Sequence, residues 1–326
     1  MRVPLVAVLS AAFLAACGSA GAKDRIVYAH LNDPAIGIML HALDEGIVAS
    51  DRIEVETVPL PAAALLRATP TGRYDVVMSS VLAIPRARAR GLDLVVLSTA
   101  ARAPAGREGG ALWVRADSPY GTPADLKGKT VATIGLRSTG TTWLRLALWK
   151  KHGIDVSSRD GDYRWVDLPA AELPGALEAG RVDAASLIHS QAWEADRSGR
   201  YRVLAYRDRD IHELYGVEVV PAVNVGHRGK LDARPGVFRE FNRMLKASVD
   251  HALANRRAVG AAVGARHGIP AEFLEAWMTR FSFFPATVSA ADVRAMDAIW
   301  AGARELGILD RHGKAETVIW EHAIRE

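Results

Sequence analysis

Val58-Pro59-Leu60-Pro61-Ala62-Ala63-Ala64-Leu65, followed by Gly72-Arg73-Tyr74-Asp75, recurs in the same chain as Val166-Asp167-Leu168-Pro169-Ala170-Ala171-Glu172-Leu173, followed by Gly180-Arg181-Val182-Asp183. The offset is 108 residues at both ends of the match, from Val58 to Val166 and from Asp75 to Asp183, with no gap between its halves. Each copy reads as a strand closed by Leu-Pro, a short Ala/Leu helix, and a Gly-Arg-x-Asp turn into a second apolar strand. Proline stops the strand because it brings no N–H to the ladder, and glycine takes the left-handed conformation that ends a helix. A unit recurring once at domain-sized spacing predicts two lobes built on one plan. Small ligands bind preferentially in clefts between domains, so the repeat also predicts a cleft.

At 326 residues the chain exceeds the usual size of a single core, in keeping with two domains. Its 49% hydrophobic and 24% charged residues are ordinary for a globular protein, and the formal net charge is +4. The densest basic run, Arg86-Ala87-Arg88-Ala89-Arg90, stands just before Gly91, where cations complement a helix C-terminus. No RNP-like aromatic motif, zinc finger or basic heptad accompanies it, so nucleic acid is not an expected partner.

Ahead of the first strand, Arg2 precedes an apolar stretch from Val3 to Ala16, too short to span a bilayer and suited to the core of a signal peptide. It runs into Leu14-Ala15-Ala16-Cys17-Gly18-Ser19, which resembles the bacterial lipobox, where the cysteine is lipidated and becomes the mature N-terminus. Cys17 is the single cysteine of the chain and therefore cannot form an internal disulfide. The expectation is a lipoprotein signal peptide at 1–16, lipidation at Cys17, a tether over 17–24, and a monomer held at a membrane of the cell envelope.

Beyond the tether, strands are predicted at Arg25–Ala29, Ile53–Val58, Val76–Met78 and Leu94–Ser98. A helix opens at Asp33-Pro34, with proline in its first turn, and Val81–Ala89 forms a crossover helix. This is the doubly wound βαβαβ pattern. A second series follows: strands Ala111–Arg115 and Thr130–Thr133, a helix from Thr141 to His152, then strands at Arg164–Val166, Ala184–Ile188 and Arg202–Tyr206. Glu218–Val225 reads as a strand returning to the first sheet, and the remainder as helices. Pro235 opens one with Phe238, Phe241, Leu245 and Val249 on one face; Ser289 with Asp292 caps another. The expected fold class is α/β, two doubly wound lobes with a ligand cleft between them. Residues 25–104 and 213–326 form the first lobe and 105–212 the second.

Enzyme signatures are missing. Lys127-Gly128-Lys129-Thr130 lacks the first glycine of a Walker loop and precedes a strand rather than a helix. The glycines of Gly135-Leu136-Arg137-Ser138-Thr139-Gly140 are wrongly spaced for a nucleophile elbow. The ten histidines include no His-x-x-x-His pair, and no catalytic residue, metal or cofactor is expected. Loops beyond the C-terminal ends of parallel strands are where open α/β sheets bind ligands. They nominate His30 and Asn32 after the first strand, and Ser79 and Ser80 after the third. In the second lobe they nominate Arg137, Ser138, Thr139, Thr141 and Thr142 before a helix, and His189 and Gln191 after the repeat strand. A helix N-terminus offers free N–H groups and a positive dipole end to an anionic or carbonyl group. Ser138 and the threonines also suit simple N-capping, and Trp143 and Trp193 suit either cleft wall or core. Arg137 is the candidate counter-charge.

With these residues in hand, the chain resembles the ABC-transporter substrate-binding proteins of the sulfonate, nitrate, taurine and thiamine-precursor group, the SsuA-like and NMT1/THI5-like proteins. The strongest stretch is Ser118-Pro119-Tyr120-Gly121-Thr122-Pro123-Ala124-Asp125-Leu126-Lys127-Gly128-Lys129-Thr130-Val131-Ala132, similar to the family's opening of its second lobe. The resemblance extends over 25–310. It implies a type II periplasmic-binding-protein fold that closes on a small polar or anionic organic ligand and docks on an ABC permease. One departure concerns His189-Ser190-Gln191-Ala192-Trp193, where relatives often carry an acidic-Pro or Trp-Asp-Pro element. The cysteine-rich motif of the fungal thiamine-precursor synthases is absent. Two other classes stay open: an enzyme on the same fold, and a carrier or sensory lipoprotein for a more apolar ligand.

Overall fold

A computed structural model describes residues 22–105 and 110–326. The signal peptide, Cys17 and the tether as far as residue 21 lie outside the described residues. The first sheet is built from β1 (Asp24–Leu31), β2 (Ile53–Leu60), β3 (Val76–Ser80) and β4 (Leu94–Ala103), with α1 (Pro34–Asp44), α2 (Ala62–Ala68) and α3 (Ala83–Arg88) between them. The second is built from β5 (Ala111–Arg115), β6 (Thr130–Thr133), β7 (Arg164–Asp167), β8 (Ala184–Ala185) and β9 (Tyr201–Tyr206). Its helices are α4 (Thr139–His152), α5 (Leu173–Glu178) and α6 (Ser190–Ser198), and α7 (Arg207–Tyr215) leads out of it. The chain then returns to the first sheet as β10 (Val219–His227). It finishes in α8 (Arg228–Ala233), α9 (Pro235–Ala254), α10 (Arg256–His267), α11 (Ala271–Ala276) and α12 (Ala290–Glu305).

The two sheets share one plan. Their orders are β2-β1-β3-β10-β4 and β7-β6-β8-β5-β9. In each, the strand second in that order pairs in parallel with the two that follow it in sequence, β1 with β2 and β3, β6 with β7 and β8. In each, one antiparallel strand is inserted, β10 between β3 and β4, β5 between β8 and β9. The inserted strand is always the one whose chain has just crossed from the other sheet.

The sequence repeat maps onto equivalent elements, β2-α2-β3 in one lobe and β7-α5-β8 in the other. Gly72 and Gly180 both end the helical segment at positive φ, +66° and +68°. The two aspartates that follow do one job twice. Asp75 donates its N–H to the Val27 carbonyl and accepts the Val27 N–H on Oδ2, both at 3.0 Å. Asp183 does the same with Thr130, both at 2.9 Å. Each carboxylate thereby extends the ladder between first and third strand at the point where the third strand enters it. The second oxygen is satisfied differently in each lobe, by Lys230 Nζ on Asp75 at 3.2 Å and by the Tyr120 hydroxyl on Asp183 at 2.6 Å.

Several strands differ in length from the sequence reading. β1 runs on to Leu31 because β2 pairs with it residue by residue as far as Leu31 and Leu60. Pro59 is tolerated there because β2 is an edge strand whose outer N–H groups need no partner. His30 is therefore a strand residue rather than a loop residue, and so are Ser79 and Ser80 at the end of β3. β8 is only two residues long, and α4 begins at Thr139 rather than Thr141.

The helices behave as their patterning predicts. α9 buries Phe238, Phe241, Leu245 and Val249. Ser289 and Asp292 form the reciprocal cap of α12, and Asp292 also holds Arg102 of β4 at 2.7 Å, which fixes the helix to the sheet. α4 belongs to both lobes. Leu144 and Leu148 lie in the core of the second sheet, while Trp143, Leu146 and Ala147 join the cluster that holds Val223 of β10 and Trp300 of α12. Trp143 is thus a core residue, fully buried, and not a cleft wall. Gly302 permits this approach: a Cβ there would stand 2.3 Å from Leu146 Cδ1.

Replacing Asp183 by alanine leaves the Thr130 N–H without its acceptor, and Asp75→Ala does the same to Val27. Each change is expected to cost about 1–3 kcal/mol. Urea unfolding checks this, with Asp→Asn, which keeps an acceptor oxygen, losing less at both positions.

Candidate functional site

Strand-end loops of the two sheets meet along a seam, and four residues from the sequence-predicted set, Ser80, Thr139, His189 and Arg137, take part in direct contacts between the lobes. Ser80 at the end of β3 and Thr139 at the start of α4 share a hydroxyl–hydroxyl bond of 2.6 Å. His189 donates from Nδ1 to Asp33 Oδ2 at 2.5 Å. Asp33 is positioned for this by a second duty, because its Oδ1 caps α1 by accepting the Ala35 N–H at 2.8 Å. His189 lies between β8 and α6 with φ +51°, an unusual conformation for a residue with a Cβ. Its ring stands edge-on to Trp277, 4.6 Å between centroids, in the π-helical turn Trp277–Phe281.

Most of the other nominated residues are occupied within their own lobes. Ser138 is the N-cap of α4 and accepts the Thr141 N–H at 3.2 Å; its hydroxyl also donates to Thr141 Oγ1 at 3.0 Å. Thr142 donates back to the Ser138 carbonyl at 2.7 Å. Much of the hydroxyl-rich loop is therefore helix capping. Ser79 is buried against the Thr69 hydroxyl at 3.1 Å, and Gln191 donates to the Ala170 carbonyl at 2.6 Å. His30 is buried and donates from Nδ1 to the Leu31 carbonyl at 3.0 Å. Burial pushes its pKa down, the Leu31 carbonyl opposing. Asn32 is exposed, and its N–H donates to the Leu60 carbonyl at 2.9 Å. Arg137 is exposed too; its Nη2 donates to the Ile308 carbonyl at 3.2 Å, and its own carbonyl accepts from Arg86.

Three residues of the seam escaped the sequence reading as site residues: Asp33, Trp277 and Arg207. Arg207 is the most consequential. Its side chain is 11% exposed, and Nε donates to Asp208 Oδ1 at 2.6 Å. It fills space that two glycines leave open. A Cβ on Gly110 would stand 2.2 Å from Arg207 Cζ, and one on Gly140 would stand 3.2 Å from Arg207 Nη1. Gly140 is the second residue of α4, so the guanidinium lies against a helix N-terminus. There the N–H groups of Thr139 and Gly140 have no helical acceptor. Asp208 pairs with Arg207 through Oδ1 alone. Its Oδ2 is buried without a hydrogen bond, and burial pushes its pKa up against the pull of Arg207.

Electrostatics tighten the His189–Asp33 contact. Burial alone would lower the His189 pKa and raise that of Asp33, but the mutual charge and hydrogen bond outweigh it, so the imidazole is held above its ordinary 6.5 and the carboxyl below its ordinary 3.8. Arg207 works against protonation of His189, and His267 adds to the depression of Asp33. Among the described residues no group of three or more His, Cys, Asp or Glu side chains is placed to hold a metal, and no helix is long and apolar enough to cross a membrane.

Two lobes on one plan, joined by two chain crossings and touching through strand-end loops, define a periplasmic-binding-protein fold. The chain belongs to the NMT1/THI5-like family, whose model matches residues 34–258. Solved structures share the fold at low identity. The periplasmic aliphatic sulphonate-binding protein SsuA of Escherichia coli superposes with a TM-score of 0.71, at 19% identity over 94% of both chains. The alkanesulfonate-binding protein SsuA of Xanthomonas axonopodis pv. citri, bound to MOPS, gives 0.71 at 20% identity over 94% of this chain and 100% of its own. A DSZB point mutant in complex with biphenyl-2-sulfinic acid gives 0.65 at 14% identity over 93% of this chain and 98% of its own. No curated protein sequence matches this chain.

The His189–Asp33 contact predicts a pH dependence of defined sign. A raised histidine pKa contributes stability that is complete below 6.5 and is lost as pH rises through the folded value. A depressed aspartate pKa contributes stability that is complete above 3.8 and is lost as pH falls through the folded value. Wild type is therefore expected to exceed His189→Ala in thermal stability most between pH 3.8 and 6.5, with the gap narrowing on either side. Melting curves of both proteins across that range test it.

Proposed function

We propose that this protein is a solute-binding protein of ABC import, which captures a small anionic organic ligand by lobe closure and delivers it to a membrane permease. The observation that carries this reading is the placement of Arg207. A nearly buried guanidinium, paired on Nε with Asp208, lies against the N-terminus of α4 and within the field of His189. Cation, helix dipole and free N–H groups converge there, which is the chemistry that receives an acid group. Arg207 takes the counter-charge role for which the sequence nominated Arg137. Thr139, Ser80, His189, Asp33 and Asn32 frame the same opening, and His30, Ser79, Ser138, Thr141, Thr142 and Gln191 support its walls. The lobes would comprise 25–104 with 213–326, and 105–212, turning about the two crossings.

Structural neighbours that hold a sulfonate and a sulfinic acid support organic sulfur acids as the first ligands to try. Ligand-free protein titrated with MOPS and with short alkanesulfonates is expected to bind one equivalent without turning it over. Arg207→Gln is expected to lose about 1.5–3 kcal/mol of binding, ten- to a hundred-fold in affinity, while Arg137→Ala loses less. Equal affinity of Arg207→Gln and wild type would remove Arg207 from the site. Conversion of the ligand would make the protein an enzyme on this fold.

The lipid anchor is the second part of the proposal and rests on the Leu14-Ala15-Ala16-Cys17 motif. Two or more acyl chains bind a membrane stably, whereas one binds only marginally. Cys17→Ser is expected to shift the protein from the membrane fraction to the soluble fraction or to leave it unprocessed. Wild type and variant recovered alike as soluble protein would count against lipidation.

A further inference from the structure

Away from the cleft, halfway along α4, Arg145 is 4% exposed and has no carboxylate partner among the described residues. Its Nε and Nη2 donate to the Val156 carbonyl at 3.1 and 2.9 Å, and Nη1 reaches the Leu136 carbonyl at 3.5 Å. Carbonyl dipoles satisfy part of the fork but do not cancel its charge. Buried cations are ordinarily paired because an uncompensated charge is costly to desolvate. Arg145 lines a cavity of about 410 Å³ between α4, the 155–159 loop and the C-terminal end of α12. Ser158 and Arg159 line it too, and neither side chain has a hydrogen-bond or ion-pair partner among the described residues. Two carboxylates border the cavity, and both are engaged. Asp155 Oδ1 accepts from the Ser157 N–H and hydroxyl at 3.0 and 2.6 Å, and Glu305 pairs with Lys150 at 2.5 Å. Trp149 and Leu306 supply an apolar wall.

We propose that this cavity is a second binding site, which takes the oxyanion group of a small solute (phosphate, sulfate or carboxylate) between Arg145 and Arg159. The planar forks of two arginines match an oxyanion by charge-assisted hydrogen bonds. Ser158 adds a hydroxyl donor, and any apolar portion of the solute lies on Trp149. The site is independent of the cleft: it uses other residues and stands whether or not the cleft binds an acid. Its walls come from α4 and α12, so an occupant spans the packing between the two lobes.

The test uses the full chain labelled with 5-fluorotryptophan. Of its eight tryptophans, Trp149 is assigned by the resonance lost in Trp149→Phe. Inorganic phosphate, titrated at constant ionic strength, is expected to shift the Trp149 resonance saturably in wild type and equally in Arg207→Gln. In Arg159→Ala, whose exposed side chain is not part of the fold, the same shift is expected to need about ten-fold more phosphate. An absent or non-saturating shift, an equal shift with chloride, an undiminished affinity in Arg159→Ala, or loss of the response in Arg207→Gln would each overturn the proposal. The last result would show that the signal comes from the cleft.

Discussion

The Arg207 N–H donates to the Gly110 carbonyl at 2.9 Å, and that bond fastens together the two segments by which the chain passes between its lobes. One crossing leads from β4 into β5, the other from β9 through α7 into β10. Because each crossing delivers the antiparallel strand inserted in the next sheet, neither sheet can be completed without passing through this point. The constraint also decides where charge can be placed. A side chain at residue 207 is carried by one of these crossings and faces the first turn of α4, so a ligand held by Arg207 as proposed would act on the crossing itself.

The proposed closure would make and break the contacts along the seam. Ser80 with Thr139 and His189 with Asp33 bridge the seam through short polar bonds, Arg137 adds bonds to Ile308 and Arg86, and the His189–Trp277 and Trp193–Phe273 ring pairs add apolar contact. Polar contacts of that kind contribute modestly, because water replaces them when the lobes part. If the lobes close on a solute as proposed, ligand binding would supply the difference between the open and closed arrangements. The apolar packing of α4 against α12 lies on the other side of the helix, where Leu146 sits over Gly302. Permanent attachment and reversible contact are thus separated along one helix.

Much of this architecture was legible in the sequence, since the repeat states it directly. Gly-Arg-x-Asp recurs for a backbone reason: the glycine turns at positive φ and the aspartate carboxylate continues the ladder, in both lobes. What the repeat does not do is match Ser79-Ser80 with His189-Ser190-Gln191. At an offset of 108 residues Ser80 corresponds to Ile188, and His189 lies one residue further on, past a strand of only two residues. Hydroxyl counting over-nominated the α4 loop, because Ser138, Thr141 and Thr142 spend their donors and acceptors on one another and on the helix end. Arg207 was hidden for the opposite reason. Arg207-Asp208-Arg209-Asp210 reads as a solvated run of alternating charge. The glycines that make room for Arg207, at 110 and 140, are far from it in sequence. Asp33 was legible as a cap, but capping uses only Oδ1, and nothing local announces what Oδ2 will meet.

α4 is the element on which these threads converge. Its N-terminus faces the hinge cation, its apolar faces join both cores, and its middle carries Arg145 into the cavity beside α12. A rigid helix of 14 residues transmits a change in position at one end to the other, because its hydrogen bonds leave no soft dihedral between them. Solutes at the two places would therefore sense one another through the same body. Any coupling free energy between them acts equally in both directions. An oxyanion that draws the Arg159 loop toward α12 would favour whichever relation of the lobes suits that packing. The cleft would register it as a change in affinity without sharing a single contact.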